Sequence, residues 1–453
     1  MSRVKWIRNA FICNEGKIFE GSVRLEGEYI AEIYAGRLPN DRLPAEEGSE
    51  VIAGEGLWLL PGAIDSHVHF RDPGLTHKGD MQSESRAAVA GGITSFMDMP
   101  NTLPQTTSLD ALAWKAERAA QVSCANYAFF FGATNDNVGL LPRLDASRVP
   151  GVKVFLCAST GKMTIDRRET LERILGEAGT IVAVHAEKED IIRRNAAHYA
   201  ALYGEGVDMR FHPLIRSEEA CYAASSEAAE LAHRMGVRLH ILHLSTEREL
   251  ALLDDSRPLA EKRLTAEACV HHLWFTDADY AHLGSRIKWN PAIKGEHDRS
   301  TLRTAVEKGL IDVIATDHSP HLPAEKTGGA LQAASGAPFV QHALPLMLEL
   351  AAEGVFSVEK VVERMCHAPA ILYGIDRRGF IRRGYYADLT LIDPSASCTV
   401  TRENLHYKCG WSPLEGLRLR QRVVRTFVNG RTVYGGETPE AFPVAGLPLR
   451  FVR

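Results

Sequence analysis

Between residues 57 and 375, short apolar runs alternate with stretches of helical spacing, and this alternation restricts the chain more than any other feature. The runs are GLWLLPGAIDSHVHF, ITSFMDMP, NYAFFFGAT, GVKVFLCAS, IVAVHAE, RLHILHLS, RLTAEACVHH and IDVIATDHSP. Among the intervening stretches are SLDALAWKAERAAQ, EEACYAASSEAAELAHRMG and DRSTLRTAVEKG, the last two ending in Gly as helix C-termini often do. Strands that are apolar almost throughout are buried on both faces, and when helices separate them they form parallel sheets. Eight such units predict a (β/α)8 TIM barrel. A doubly wound open sheet is the alternative, weakened because no Gly-x-Gly-x-x-Gly follows the first strand.

The two ends differ from this middle and resemble each other. Residues 1–56 hold short alternating runs with Gly and Asn turns, and residues 384–435 do the same, with VNGR between VVRTF and TVYG as a strong hairpin signal. The expected organisation is an N-terminal part (1–56) and a C-terminal part (376–453) of one small β-sandwich domain, flanking a barrel at 57–375.

The reactive side chains gather at the ends of the apolar runs. The first run ends in His67, His69 and Arg71, the second in MPNT with Asn101. The fourth contains Lys153, the fifth ends in His185, the sixth in His243, and the eighth in TDHSPH with Asp317 and His321. In a (β/α)8 barrel the C-terminal strand ends form the active-site face. His67 and His69 are two apart, so on a strand they point the same way and can bind one ion together. Singly, each histidine could equally be a hydrogen-bonded residue at a strand end. Lys153 stands among apolar neighbours, where a free ammonium is costly. It is paired with an acid, it reaches solvent, or it is carbamylated by CO2 into a carboxylate able to bridge two metals; the surrounding histidines favour the last. Asp317 can bind an ion and handle the proton of its water. His240, His271 and His272 are read as structural.

These nitrogen and oxygen donors, without thiolate, favour Zn2+, with Mn2+, Co2+ or Fe2+ also suited. Six ligand groups with one bridge imply two metals holding a hydroxide for attack on a carbonyl, hence a hydrolase or its reverse. The eight cysteines include no Cys-x-x-Cys pair, which argues against a disulfide framework and fits a reducing cytosol. A net charge of -5 gives no reason to expect nucleic acid or a membrane surface as partner. The opening MSRVKWIRNAFICNEG lacks a signal peptide's apolar core, so a cytoplasmic location is expected.

DSHVHFRDPG, GGITSFMDMPNTLPQT, GVKVFLCAS, VHAE, LHLS, KWNPAIKGEHDRSTL and IATDHSPH together resemble the cyclic amidohydrolases, and among them the dihydroorotases. The resemblance runs almost end to end. It implies a barrel with a binuclear metal centre and a small-molecule substrate: N-carbamoyl-L-aspartate, cyclised reversibly to L-dihydroorotate in pyrimidine synthesis. It implies His67 and His69 on one metal, His185 and His243 on the other, and carbamylated Lys153 between them. Asp317 completes the first site and serves as general base and acid. Arg71, Asn101 and His321 match the residues that bind the substrate carboxylate, and Asn290 looks like a further contact. A guanidinium fork suits a carboxylate independently of the resemblance. Allantoinases and hydantoinases share the metal residues but usually lack the Arg and the MPNT Asn; a non-catalytic scaffold would have lost ligands that are all present here. Two stretches depart from the usual pattern: NPAIKG in place of NPPLR, and TGGALQAASGAPF. Ser159, Thr160 and Gly161 are candidates for a lid. Barrels of this kind often dimerise, so a homodimer is an expectation.

Overall fold

The structure, a computed structural model, describes residues 4–39, 49–158, 163–435 and 442–453. The candidate lid residues Ser159, Thr160 and Gly161 lie outside the described residues. The chain opens with β1 (Val4–Asn14), β2 (Lys17–Glu26), β3 (Tyr29–Ala35), β4 (Glu50–Ala53) and β5 (Trp58–Pro61). Then come β6 (Ala63–Val68), β7 (Ile93–Asp98), β8 (Asn126–Phe129), β9 (Phe131–Gly132), β10 (Val152–Phe155), β11 (Val182–His185), β12 (Leu239–Ile241), β13 (Leu264–Cys269) and β14 (Val313–Ala315). It closes with β15 (Leu389–Asp393), β16 (Cys398–Thr399), β17 (Arg418–Leu419), β18 (Arg422–Val428) and β19 (Arg431–Tyr434).

Strands β6 to β14 are the barrel. β6, β7 and β8 pair in parallel, as do β9 to β14, and only Phe130 separates β8 from β9, so these two share one position in the wall. The ring closes where Val68 bridges His318 in parallel and the His69 N–H donates to the His318 carbonyl at 2.7 Å. Each apolar run therefore supplies one wall position, as its double-sided burial requires. The intervening helices follow their sequence signals. Ser108 caps Leu109–Val122 and Ser217 caps Glu218–Met235, while Gly236 (φ 66) and Gly309 (φ 87) end Glu218–Met235 and Glu296–Lys308 in left-handed conformations open to glycine at little cost.

The first apolar run is not one strand. It divides at Gly62: β5 pairs with β1 and β15, and only β6 enters the barrel. A side chain at Gly62 would meet Thr94 Oγ1 at 2.1 Å, so the crossing needs glycine. β5 thus ties the terminal strands to the barrel. The terminal strands form a continuous sheet in the order β19-β18-β15-β5-β1-β2-β3, with β4 beside β1. Ile7, Ile12, Val23, Leu25, Leu59, Leu389 and Phe427 give this β-rich part a core of its own. The β18–β19 hairpin turns on Asn429 (φ 50) and Gly430 (φ 72), the two positive φ values that a type I′ turn requires.

Candidate active site

The strands deliver their C-terminal ends to one cavity of about 300 Å³. All ten residues singled out from the sequence line it: His67, His69, Arg71, Asn101, Lys153, His185, His243, Asn290, Asp317 and His321. Three of them, Arg71 (φ 66), His243 (φ 39) and Asp317 (φ 47), hold left-handed backbone without being glycine. Such conformations cost on the order of 1 kcal/mol or more each and persist where the surroundings over-determine them, commonly at functional sites. Buried polar groups do the fixing. Asp65 accepts from the His67 and Thr316 N–H groups (3.1 and 3.2 Å) and from Thr316 Oγ1 (2.6 Å), locking β6 to β14 below the site. Asp98 accepts from the Phe70 N–H at 2.8 Å and from buried Lys115, which anchors the segment between His69 and Arg71.

His67, His69 and Asp317 form one donor group. Asp317 Oδ1 lies 3.4 Å from His67 Nε2 and 3.0 Å from His69 Nε2. The other ring nitrogens are engaged behind: His67 Nδ1 donates to Glu267 Oε1 at 2.5 Å, and His69 Nδ1 to Asn101 Oδ1 at 2.6 Å. Each imidazole is thereby turned to present Nε2 to the cavity, the arrangement by which outer partners orient metal-binding histidines. The Asn101 oxygen is used this way, leaving its amide N–H groups for the cavity. Burial would raise the Glu267 carboxyl, but His67, in contact and hydrogen-bonded, and the nearby His240 ring outweigh it and hold Glu267 below the usual carboxylate range.

His185 and His243 form a second group, with His185 Nδ1 2.8 Å from His243 Nε2. His185 Nε2 donates to Glu187 Oε2 at 2.9 Å, and Glu187 also accepts from Arg216. Burial pushes Glu187 up, yet Arg216 and His185 bring it down to about 2, so it stays ionised behind the ring. Lys153 stands between the two groups on β10. It is fully buried, and its Nζ has no hydrogen-bond partner. It is therefore neither hydrogen-bonded to an acid nor in solvent, which removes both ordinary explanations for a lysine there. Burial lowers its pKa to about 8, against the opposing charges of Asp317 and Glu267. Four imidazoles and one carboxylate around a buried amine that makes no hydrogen bond, its Nζ 4.5 Å from the Phe155 ring centroid, fit a metal centre far better than they fit a packed core. Two thiols stand close as well, Cys157 beside His185 and Glu187, and Cys269 beside His67 and Glu267. Burial, followed by the Glu267 and Asp317 charges, pushes the Cys269 thiol well above its usual range, consistent with its reading as a small buried hydrophobe.

The other half of the cavity is cationic. Arg71 Nε donates to the Pro320 carbonyl at 3.1 Å, and Nη2 to Ser319 Oγ (2.5 Å) and His321 Nε2 (3.0 Å). Lys78 Nζ approaches the other ring nitrogen, His321 Nδ1, at 3.1 Å. Burial, then Arg71, Lys78 and Lys326, drive the His321 pKa far below its usual value. A neutral imidazole has one acceptor nitrogen, yet cationic donors face both. Burial lowers Arg71 only to about 10, so it remains charged. Lys78 is paired with Glu325, whereas the described residues give Arg71 no carboxylate in salt-bridge contact, as suits a site for an anion.

Several contributors were not singled out from the sequence. Glu187 and Ser319 sit inside the quoted motifs HAE and TDHSPH, two positions from His185 and from Asp317 and His321, and that proximity was their available signal; Glu267, in RLTAEACVHH, stands four positions before His271. Phe155, Ala158 and the strip Ala334, Ser335 and Gly336 also line the cavity. The strip belongs to the TGGALQAASGAPF stretch, and no periodicity could have marked it. The NPAIKG departure puts Lys294 in the interior, donating to the Ala292 carbonyl at 3.0 Å.

Residues 58–433 match the model of the Amidohydrolase family. A dihydroorotase from Halobacterium salinarum is 37% identical over 389 residues, 85% of this chain and 88% of that one. An allantoinase from Rubrobacter xylanophilus is 35% identical over 412 residues, 89% of each chain. The solved structure of the L-hydantoinase (dihydropyrimidinase) from Arthrobacter aurescens superposes with a TM-score of 0.92 at 26% identity, covering 99% of this chain and 100% of that one.

Proposed function

From the premise that the chain belongs to the amidohydrolase family, we propose that it is a dihydroorotase, interconverting N-carbamoyl-L-aspartate with L-dihydroorotate and water. One observation carries the choice among cyclic amides: the charged Arg71, held beside His321, shares a cavity with the histidine and aspartate groups. Dihydroorotate carries a carboxylate beside its ring amide, whereas allantoin and hydantoin carry none.

In this reading His67, His69 and Asp317 hold one divalent ion, His185 and His243 a second, and Lys153, as a carbamate, both. The donor types favour zinc. Bound there, the ions supply an activated water and polarise the amide carbonyl. The chain's own residues do the rest. Arg71, the Asn101 amide and His321 take the substrate carboxylate and fix the ring, and Asn290, whose buried Oδ1 has no partner, is free to accept from a ring N–H. Asp317 takes a proton from the attacking water and passes it to the ring nitrogen as the C–N bond breaks. Burial raises its pKa, against the lowering charges of His67 and Lys153, which suits a carboxylate that must carry a proton. In the direction of cyclisation the same groups act in reverse.

The test is ring opening of L-dihydroorotate by the metal-loaded protein, with allantoin and hydantoin run in parallel. Turnover of dihydroorotate alone is expected. Turnover of another cyclic amide instead would keep the metal chemistry and overturn the roles of Arg71 and His321. Metal binding without turnover of any of them would point to a non-catalytic relative.

A further inference from the structure

We propose that Lys326 is a positioning residue for the carboxylate half of the cavity, holding the strip Ala334–Gly336 where substrate binding requires it; the substrate named below rests on the dihydroorotase reading. Lys326 ends the short helical turn Pro323–Lys326 and is only 6% exposed. Its Nζ donates to three backbone carbonyls, Ala334 at 2.7 Å, Gly336 at 2.7 Å and Lys288 at 3.3 Å. Only the ammonium has three hydrogens for these three acceptors, and the Glu325 charge opposes the downward push that burial, Lys288 and Arg71 exert on its pKa. A buried ammonium held by neutral carbonyls is an expensive arrangement.

Its targets show what it fixes. Two of the carbonyls flank Ser335 in the cavity wall, and the third belongs to Lys288, two residues before Asn290. Lys288 returns the contact: its Nζ donates to the Ala333 carbonyl, and its carbonyl also accepts the Gly336 N–H at 2.8 Å. On the other side the strip is pressed against Ser319, the residue that grips Arg71. Gly336 has φ 117, and a Cβ there would lie 2.6 Å from the Ser319 carbonyl. Lys326 thus sets the spacing between the wall bearing Asn290 and the wall bearing Ser319 and His321, and it does so beside the Arg71 charge.

The experiment compares Lys326→Met and Lys326→Gln with wild type, all metal-loaded. KM and kcat for dihydroorotate, metal content and amide exchange of residues 333–337 are measured. Lys326→Met should raise KM about tenfold or more while kcat stays within about threefold, with unchanged metal content and faster exchange at Ala334 and Gly336, whose N–H groups donate to the Glu325 and Lys288 carbonyls. Lys326→Gln keeps two N–H donors and should fall between; if the Met variant does not fold, a KM rise of about threefold in the Gln variant carries the same conclusion. An unchanged KM, or a fall in kcat at constant KM, overturns the inference. If wild type leaves dihydroorotate untouched, the dihydroorotase reading fails by itself, and exchange at 333–337 still decides: wild-type rates in the variants overturn the positioning role.

Discussion

The two halves of the cavity are held by different means. The histidines and Asp317 stand at strand ends, and buried carboxylates back the rings, Glu267 behind His67 and Glu187 behind His185. The cationic half hangs on loop backbone: Arg71 on the Pro320 carbonyl and Ser319, and the 334–336 strip on Lys326. Strand ends cannot shift without disturbing the barrel, whereas loops vary at little cost to the fold. Chemistry common to a family belongs in the first half and substrate choice in the second.

The comparison is tested most severely on Lys153. Lys153→Met should remove metal from the centre and lower turnover by about 10³-fold or more. The metal-free variant should nevertheless be as stable as metal-free wild type or more so, because a volume-matched apolar side chain can keep the packing on Phe155 and replaces an amine buried without a hydrogen bond. Thermal unfolding of the two metal-free proteins is the check; a markedly less stable variant would mean that Lys153 serves the fold. Next in size is Arg71→Lys. An ammonium cannot reproduce the guanidinium fork between the Pro320 carbonyl, Ser319 and a carboxylate, so KM for dihydroorotate should rise about 10- to 100-fold with metal content unchanged. A loss of metal in that variant would erase the division between the halves.

The same division explains what the sequence disclosed. Period and apolar content marked every barrel strand, and the ligand-type residues were visible because they stand at fixed places, the ends of those runs. The error at Gly62 has a local cause: β5 and β6 are both apolar and nearly contiguous, so the switch of sheet between them leaves no mark in hydropathy. Glu187 and Glu267 were hidden differently. A buried carboxylate behind a histidine differs from an ordinary strand-end acid only in its partners: Glu267 meets His67 from a distant segment, and Glu187, though two residues from His185, is fixed by Arg216 from the following helical region. The Ala334–Gly336 wall was the least legible, since its place depends on side-chain-to-carbonyl bonds that small residues do not announce.

Within the metal half, the outer partners offer a milder break. Glu187→Gln keeps the shape but loses the charge that fixes the proton on His185 Nε2 and meets Arg216. Metal affinity should fall about 10- to 100-fold, with turnover largely restored at high metal concentration. Titration of activity against added zinc separates this from a damaged fold, which extra metal would not repair. KM measured at saturating metal should match wild type, because the cationic half is untouched.

The smallest effect sharpens the cationic half. Ser319 lines the cavity, but in the structure its hydroxyl is spent on Arg71 Nη2 at 2.5 Å, and the Gly336 backbone closes over it. If its task is to hold the guanidinium, Ser319→Ala frees one N–H of a group that Pro320 and His321 still restrain, and KM should rise only a few-fold, about the worth of one neutral acceptor to a charged donor after solvent competition. In the Arg71→Lys background the same change should then cost almost nothing, since the partner it positions is gone. If the hydroxyl instead touches the substrate, its loss should persist undiminished in that background. The double-mutant cycle thus separates a residue that shapes the arginine from one that reads the substrate.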